Sequence, residues 1–262
     1  MKVFLIIPAY NEQERILNTL KFYVNIFKKE KIPLKIIVVS ESTDRTNSII
    51  RAFAGRYKNV SLVYSKRRLG KGGAIARGFN AAISLSSEND AIGFVDADNA
   101  IYASETVRML RYLKAHKEFS GIIASRYTKG SEISGHVPVS RRIASRAYNY
   151  LVRLLFGLEY NDTQCGAKIF RQNAIKKVLP SLTIVDMSFD INLLYSASRL
   201  GFKVKEFPIK YRQVNEGTKL VMHTQIPQMF IATIGFRISR SRLGALIPDS
   251  LKGYIYNKVR RW

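Results

Sequence analysis

Short apolar runs alternate with segments of helical spacing through the first half of the chain, and few folds tolerate that alternation. The runs are KVFLIIP (2–8), LKIIVVS (34–40), VSLVYS (60–65) and AIGFVDAD (91–98), each of strand length and bounded by turn residues. Between them, residues 12–30 place Ile16, Leu17, Leu20, Val24 and Phe27 at helical spacing. Residues 42–57 (STDRTNSIIRAFAGRY) start a second helix with Asp44 near its first turn, and residues 70–85 (GKGGAIARGFNAAISL) open on glycines and continue as a third. Strands separated by helices imply an α/β fold with a mostly parallel, doubly wound sheet, which binds nucleotide-type ligands at the carboxyl ends of its strands. The second half is less regular. EFSGIIASRY (118–127) reads as a strand ending at Arg126, SRRIASRAYNYLVRLLF (140–156) as a basic amphipathic helix, and DTQCGAKIFRQNAIKKVLP (162–180) as a loop, a short strand and a helix. FDINLLYSASRLG (189–201) is helical with Gly201 as its stop, and FKVKEFPIKYRQ (202–213) alternates as a strand.

The 262 residues, 47% hydrophobic, suffice for one sizeable core, and disorder is not the main state. The single Cys165 excludes an intrachain disulfide, and His116, His136 and His223 lack zinc-ligand spacing. A reducing, cytosol-facing location is therefore expected. Lys and Arg number 43 against 19 acids, a net charge of +24. That excess points to nucleic acid, an anionic membrane surface or a phosphorylated substrate, unless it is a habit of the whole proteome. No recognisable reader motif supports nucleic acid, so none is expected as a partner. MKVFLIIPAYNE reaches Pro8 and Asn11 too soon for a secretory signal. IPQMFIATIGFRISRSRLGALIP (226–248) is interrupted by Arg237, Arg240 and Arg242, short of the ~20 apolar residues of a spanning helix. A peripheral, membrane-lying segment is the remaining expectation.

Against that basic background, FVDADNA (94–100) sets Asp96 and Asp98 one residue apart. In an extended strand the two project from one face and repel unless a cation or proton compensates them. Three readings are open: a solvated turn, a divalent metal site of hard oxygens, and an acid/base pair. Same-face neighbours suit a metal better than an acid/base pair, whose members stand several ångströms apart. GKGGA (70–74) lacks the spacing and Ser/Thr of a Walker A loop. Its glycines permit close backbone approach to a ligand and Lys71 can neutralise phosphate; the alternative is a tight turn with an exposed lysine. Cys165 reads as a small buried residue rather than a nucleophile.

Taken in order, PAYNE (8–12), STDRT (42–46), GKGGA, DAD (96–98), SRY (125–127), DTQCGAKIF (162–170) and FDINLL (189–194) resemble family 2 glycosyltransferases of GT-A fold. Within that family they are most similar to polyprenyl-phosphate sugar synthases, and DTQCGAKIF leans to those making dolichyl-phosphate glucose. The resemblance covers roughly residues 1–215 and implies a catalytic domain there, followed by a basic helical extension over 216–262. Helix 141–158 and the tail from Lys219 combine apolar faces with many basic residues, a pattern that suits either a membrane interface or a solvated basic lobe packed on the sheet. It implies that Pro8, Tyr10 and Glu12 contact base and ribose, that Glu41 replaces a family aspartate at the second strand's end, and that Lys71 faces donor phosphate. Asp98 becomes the direct metal ligand for Mg²⁺ or Mn²⁺, Asp96 holds the donor's ribose or a metal-bound water, and Ala97 lies against the nucleotide sugar. Beyond the acid pair, Asn99–Ala100 stands where many relatives carry glutamine or histidine. Arg126, with Arg141 or Arg142, would clamp an acceptor phosphate; Asp162 and Gln164 would line the sugar pocket; Lys168 would face phosphate or be exposed. Asp190 would orient the acceptor side or cap its helix. The implied activity is inverting transfer of glucose from UDP-glucose to dolichyl (polyprenyl) phosphate at the cytosolic membrane face, with GDP-mannose as the rival donor.

Overall fold

The computed structural model describes residues 1–184, 188–214 and 222–239. Its strands are β1 (Val3–Ala9), β2 (Leu34–Ser40), β3 (Val60–Tyr64), β4 (Ala91–Val95), β5 (Gly121–Ser125), β6 (Glu132–Ser134), β7 (Ala167–Arg171), β8 (Val204–Pro208) and β9 (Lys210–Arg212). The helices are α1 (Ile16–Lys29), α2 (Thr46–Arg56), α3 (Gly70–Ile83), α4 (Ala103–Ala115), α5 (Val139–Phe156), α6 (Gln172–Val178), α7 (Phe189–Arg199) and α8 (Met222–Ser239).

Seven strands form one sheet in the order β3-β2-β1-β4-β7-β5-β8, and every pairing is parallel except those of β7 with β4 and β5. The period of two along β1 divides the core between the sheet's faces. Val3, Leu5 and Ile7 pack with Ile16, Leu20 and Phe27 of α1 and Leu110 of α4, whereas Phe4 and Ile6 pack with Ile75 and Phe79 of α3 and Phe189 of α7. Burial on both faces explains why these strands read as continuous apolar runs. Gly201, at φ +74°, ends α7 as expected: its N–H donates to the Ser198 carbonyl and that of Phe202 to the Ala197 carbonyl, the paired bonds of a Schellman stop.

The structure corrects three expectations. The strand over 202–213 breaks after Pro208, which has no N–H to continue the ladder; β8 stays beside β5, and β9 turns away to pair with β6. The fourth strand stops at Val95, so Asp96 and Asp98 stand on the turn beyond it rather than on one strand face. Asp98 Oδ1 accepts the Ala100 N–H at 3.0 Å, and Asn99 adopts φ +55°, a conformation asparagine tolerates.

The third correction concerns Lys168 and Asp190. Because β7 is flanked by β4 and β5 and covered on both faces, the Lys168 side chain is buried, neither exposed nor facing a ligand. Its ammonium donates to Asp190 Oδ1 at 2.6 Å and to the Cys165 carbonyl at 2.8 Å. Asp190, also buried, is held by that pairing and does not cap α7, whose cap residue Ser188 makes no side-chain cap bond. Removing one member of a buried pair strands the other charge, whereas removing both does not. Lys168→Met is therefore expected to lower unfolding stability by about 3–5 kcal/mol, and Lys168→Met/Asp190→Asn to recover most of that loss. Denaturant titration of both variants checks this; simply additive losses would contradict it.

Candidate active site

The carboxyl ends of β1, β2, β4 and β5 open on one edge of the sheet, and three groups of side chains gather there. At the β1–β2 end the two following loops are laced together. The Asn11 N–H donates to Ser42 Oγ at 2.8 Å, the Asn11 side-chain carbonyl accepts the Thr43 N–H at 2.9 Å, and the Glu12 N–H donates to Thr46 Oγ1 at 2.8 Å. Pro8 and Tyr10 are half-buried here. The Arg68 guanidinium lies 4.2 Å from the centroid of the Tyr10 ring, and the Glu41 carboxylate accepts the Leu69 N–H. The Glu12 carboxylate is held by Arg15, whose Nε donates to it at 2.8 Å. Glu12 and Glu41 thus brace neighbouring groups in this arrangement.

The second group is the acid pair. The Asp96 N–H donates to the Gly166 carbonyl at 3.0 Å, and Lys71 Nζ lies 2.8 Å from Asp96 Oδ1. Gly166 is needed at this contact, because a Cβ there would overlap Asp96 Oδ2. Burial pushes the Asp98 carboxyl above the usual range and the charge of Asp96 pushes it further; Arg15 and Lys71 offset this only in part. Burial alone would lower the Lys71 ammonium, but Asp96, supported by Asp190, outweighs it and the net shift is upward. Lys71 therefore stays charged, a fixed cation inside the site. Ala97 is buried beside the pair, and the side-chain carbonyl of buried Asn99 finds no hydrogen-bond partner among the described residues.

This chemistry fits a hard divalent cation. Two carboxylates and an unused amide oxygen are oxygen ligands of the kind Mg²⁺ and Mn²⁺ prefer, and such ions commonly take one or two carboxylates and complete their shell with substrate phosphates and water. Among the described residues no cluster of three or more His, Cys, Asp or Glu forms a cage, so the remaining ligands would come from the bound substrate.

Arginines make up the third group. Arg126, directly after β5, meets Asp162 through two parallel bonds, Nε to Oδ2 at 2.7 Å and Nη2 to Oδ1 at 2.9 Å, while its backbone N–H also donates to Oδ2 at 3.0 Å. Its guanidinium is flanked by the rings of Tyr127 and Tyr211, 5.2 and 5.4 Å from their centroids. Asp162 is fully buried and its oxygens are taken by Arg126, so it orients that arginine rather than lining a sugar pocket, which corrects the expectation for it. Gln164 is half-buried, and its side-chain amide nitrogen has no hydrogen-bond partner among the described residues. Arg126, Arg142 and Arg146 line one cleft of about 350 Å³ with Tyr127. Arg141 lies on α5, with its side chain outside the described residues.

The loop of residues 162–166 joins the second and third groups, with Asp162 under Arg126 at one end and Gly166 under Asp96 at the other. Tyr211 lies within electrostatic reach of both: burial pushes its hydroxyl up to about 12, Arg126 opposes the rise, and Asp98 and Asp96 add to it. Burial likewise lifts the Cys165 thiol to about 12, which removes it as a nucleophile. Arg15, Arg68, Arg146 and Tyr211 escaped the reading of the sequence. Arg146 follows Arg142 by one helical turn and Arg15 follows Glu12 at i+3, so helical spacing held a signal for both. Arg68 sits in the basic run just before the glycines, and Tyr211 has no local signal.

A solved structure with this fold is that of glucosyl-3-phosphoglycerate synthase from Mycobacterium tuberculosis in complex with Mn²⁺, UDP-glucose and phosphoglyceric acid. It is 17% identical, with a TM-score of 0.66, over 95% of this chain and 81% of that one. The dolichyl-phosphate beta-glucosyltransferase of Dictyostelium discoideum is 29% identical, covering 89% of this chain and 73% of the relative. The dolichyl-phosphate beta-glucosyltransferase ALG5D of Trichomonas vaginalis is 28% identical, covering 83% of this chain and 68% of the relative. The model of glycosyl transferase family 2 matches residues 4–179. With that match over six of the seven sheet strands and the loops at their carboxyl ends, the chain belongs to glycosyl transferase family 2, a glycosyltransferase of GT-A fold.

Proposed function

We propose that this glycosyltransferase moves glucose from UDP-glucose to dolichyl or another polyprenyl phosphate. The observation that carries the proposal is the single loop, residues 162–166, that holds Asp96 of the acid pair on one side and Arg126 of the arginine-lined cleft on the other. A donor diphosphate needs the first and an acceptor phosphate the second. The names of the relatives supply the sugar and the lipid, and the uridine complex of the structural neighbour agrees with the base.

In this reading Tyr10, Arg68 and Glu41 form the wall against which base and ribose lie, with Pro8 and Glu12 shaping the β1 loop. Lys71 neutralises donor phosphate, Asp96 and Asp98 are the metal ligands, and the Gln164 amide donates to a sugar hydroxyl. A bound Mg²⁺ or Mn²⁺ would supply Lewis-acid stabilisation of the departing diphosphate. Arg126, Arg142 and Arg146 hold the acceptor phosphate. Asp162 locks one edge of the Arg126 guanidinium, leaving Nη1 for the ligand, and such pre-orientation lowers the entropic cost of capture. An acceptor phosphate oxygen bonds to the anomeric carbon as that carbon's bond to the UDP oxygen breaks. One displacement inverts the anomeric centre, and an anionic nucleophile needs no general base.

The direct test supplies UDP-glucose, GDP-mannose and dolichyl phosphate with Mg²⁺ or Mn²⁺ and follows sugar-lipid formation. Transfer from UDP-glucose that stops on chelation is expected; transfer from GDP-mannose alone would reject the donor assignment. Asp98→Asn is expected to lower kcat by about a hundredfold or more, the scale for losing transition-state charge stabilisation. Arg146→Ala is expected to raise KM for the lipid phosphate about tenfold, the scale of one charge-assisted hydrogen bond, with KM for UDP-glucose unchanged.

A further inference from the structure

Helix α5 packs on the core through Tyr148, Val152 and Phe156, and among them stands a buried polar side chain, Asn149, only 4% exposed. A buried amide is costly unless its donors and its acceptor are met, so what it reaches is informative. Its Nδ2 donates to the Asn161 carbonyl at 2.9 Å. Its Oδ1 accepts two bonds from Thr163, one from the backbone N–H at 3.1 Å and one from Oγ1 at 2.9 Å. These bonds fall on either side of Asp162, the residue whose carboxylate orients Arg126. A second clamp comes from β8, where the Glu206 carboxylate accepts the N–H groups of Asn161 and Asp162, each at 2.8 Å. The segment 161–163 is therefore fixed to the sheet by Glu206 and to α5 by Asn149.

Arg142, Arg146 and Asn149 follow one another at i, i+4 and i+7, which places them along one side of α5. The first two line the cleft with Arg126, and the third grips the segment that orients Arg126. Apolar contacts such as those of Tyr148, Val152 and Phe156 are non-directional and tolerate a helix that slides or turns on the core. Hydrogen bonds to held backbone groups do not, because they weaken steeply with distance and angle. The Asn149 bonds thus set where α5 stands against the sheet, and the two arginines earlier on the same side inherit that placement.

We propose that Asn149 is a positioning residue of the acceptor site: by tying α5 to the 161–163 segment, it fixes the separation at which Arg146 and Arg126 grip one phosphate. A phosphate group is small, so two guanidinium groups carried on different elements share it only at a set separation. The inference deepens the proposed function and rests on it for one point, that the ligand of the cleft is an acceptor phosphate. A purely structural role would steady the helix and leave the contribution of each arginine intact.

The test is calorimetric titration of the full chain with a short, water-soluble polyprenyl phosphate, which reads the cleft without turnover. Asn149→Leu, apolar and of similar size, is expected to weaken binding of this probe about tenfold. Binding of UDP-glucose with Mn²⁺ should be unchanged, because the Gly166 contact to Asp96 lies at the other end of the loop, joined directly to β7. The signature of positioning is non-additivity. Arg146→Ala is expected to cost about tenfold in the wild-type chain and less than about threefold in the Asn149→Leu chain, where the misplaced arginine has little left to lose. Thr163→Val removes one of the bonds to Asn149 and should weaken the probe about threefold, so it supplies the same reading where Asn149→Leu does not fold. A chain that shows this pattern but transfers no glucose would support the inference and reject only the catalytic reading. Simple additivity with Arg146→Ala would overturn it. So would a folded Asn149→Leu or Thr163→Val variant that binds the probe like wild type, equal weakening of the probe and UDP-glucose, or a wild-type chain with no affinity for the probe.

Discussion

The active-site architecture depends on one reversal of direction. β7 runs antiparallel between β4 and β5, so its amino end lies beside their carboxyl ends, and the loop that precedes it arrives where the ligand-facing residues are. A parallel strand in that place would bring its preceding loop to the opposite edge of the sheet. The reversal lets residues 162–166 reach Arg126 through Asp162 and Asp96 through the Gly166 carbonyl. It also places Lys168 in the middle of the sheet, where its ammonium meets the buried Asp190 carboxylate and the Cys165 carbonyl. That ion pair is a cost accepted in the core. Replacing such pairs by apolar residues of matched shape is often neutral or stabilising, so the pair is no measure of the core's stability.

The sheet and its helices were legible in the sequence because burial on both faces leaves a pattern that few other structures share. β1, β2, β3 and β4 all appear as apolar runs with helical spacing between them, and Gly201 marks the stop of α7. Strand direction leaves no such mark. AKIFR reads identically whether it runs with or against its neighbours, so the loop's role was invisible until the topology was known. Lys168 was misread because lysine is rarely fully buried, and its partner lies 22 residues away. Asp162 was placed against the sugar because the motif locates it in the site, while its pairing with Arg126 spans 36 residues of sequence. The shared face expected of Asp96 and Asp98 rested on an extended strand, but β4 ends at Val95. A turn, and not the strand pleat, holds them.

The net charge of +24 divides into several local arrangements. Lys71 and Arg15 compensate the acid pair, Arg68 covers Tyr10, and Arg126, Arg142 and Arg146 gather in the cleft. Arg142 and Arg146 stand one helical turn apart on α5, so one helix presents both guanidinium groups to the cleft. Composition alone left nucleic acid, membrane and phosphorylated ligand equally open. The clustering of cations beside carboxylates and in one cleft suits a phosphorylated ligand.

In the proposed function the contact between the 162–166 loop and Asp96 sets the donor site. Gly166→Ala perturbs that contact, because the added methyl group would overlap the Asp96 carboxylate. Calorimetric titration of UDP-glucose, with and without Mn²⁺, measures the effect, and the thermal transition reports whether the variant is folded. Mn²⁺-dependent binding by the wild-type chain is expected, with a folded variant in which that binding weakens by about tenfold or more, the scale of a displaced charge-assisted contact. Equal Mn²⁺-dependent affinity in the two proteins would contradict it.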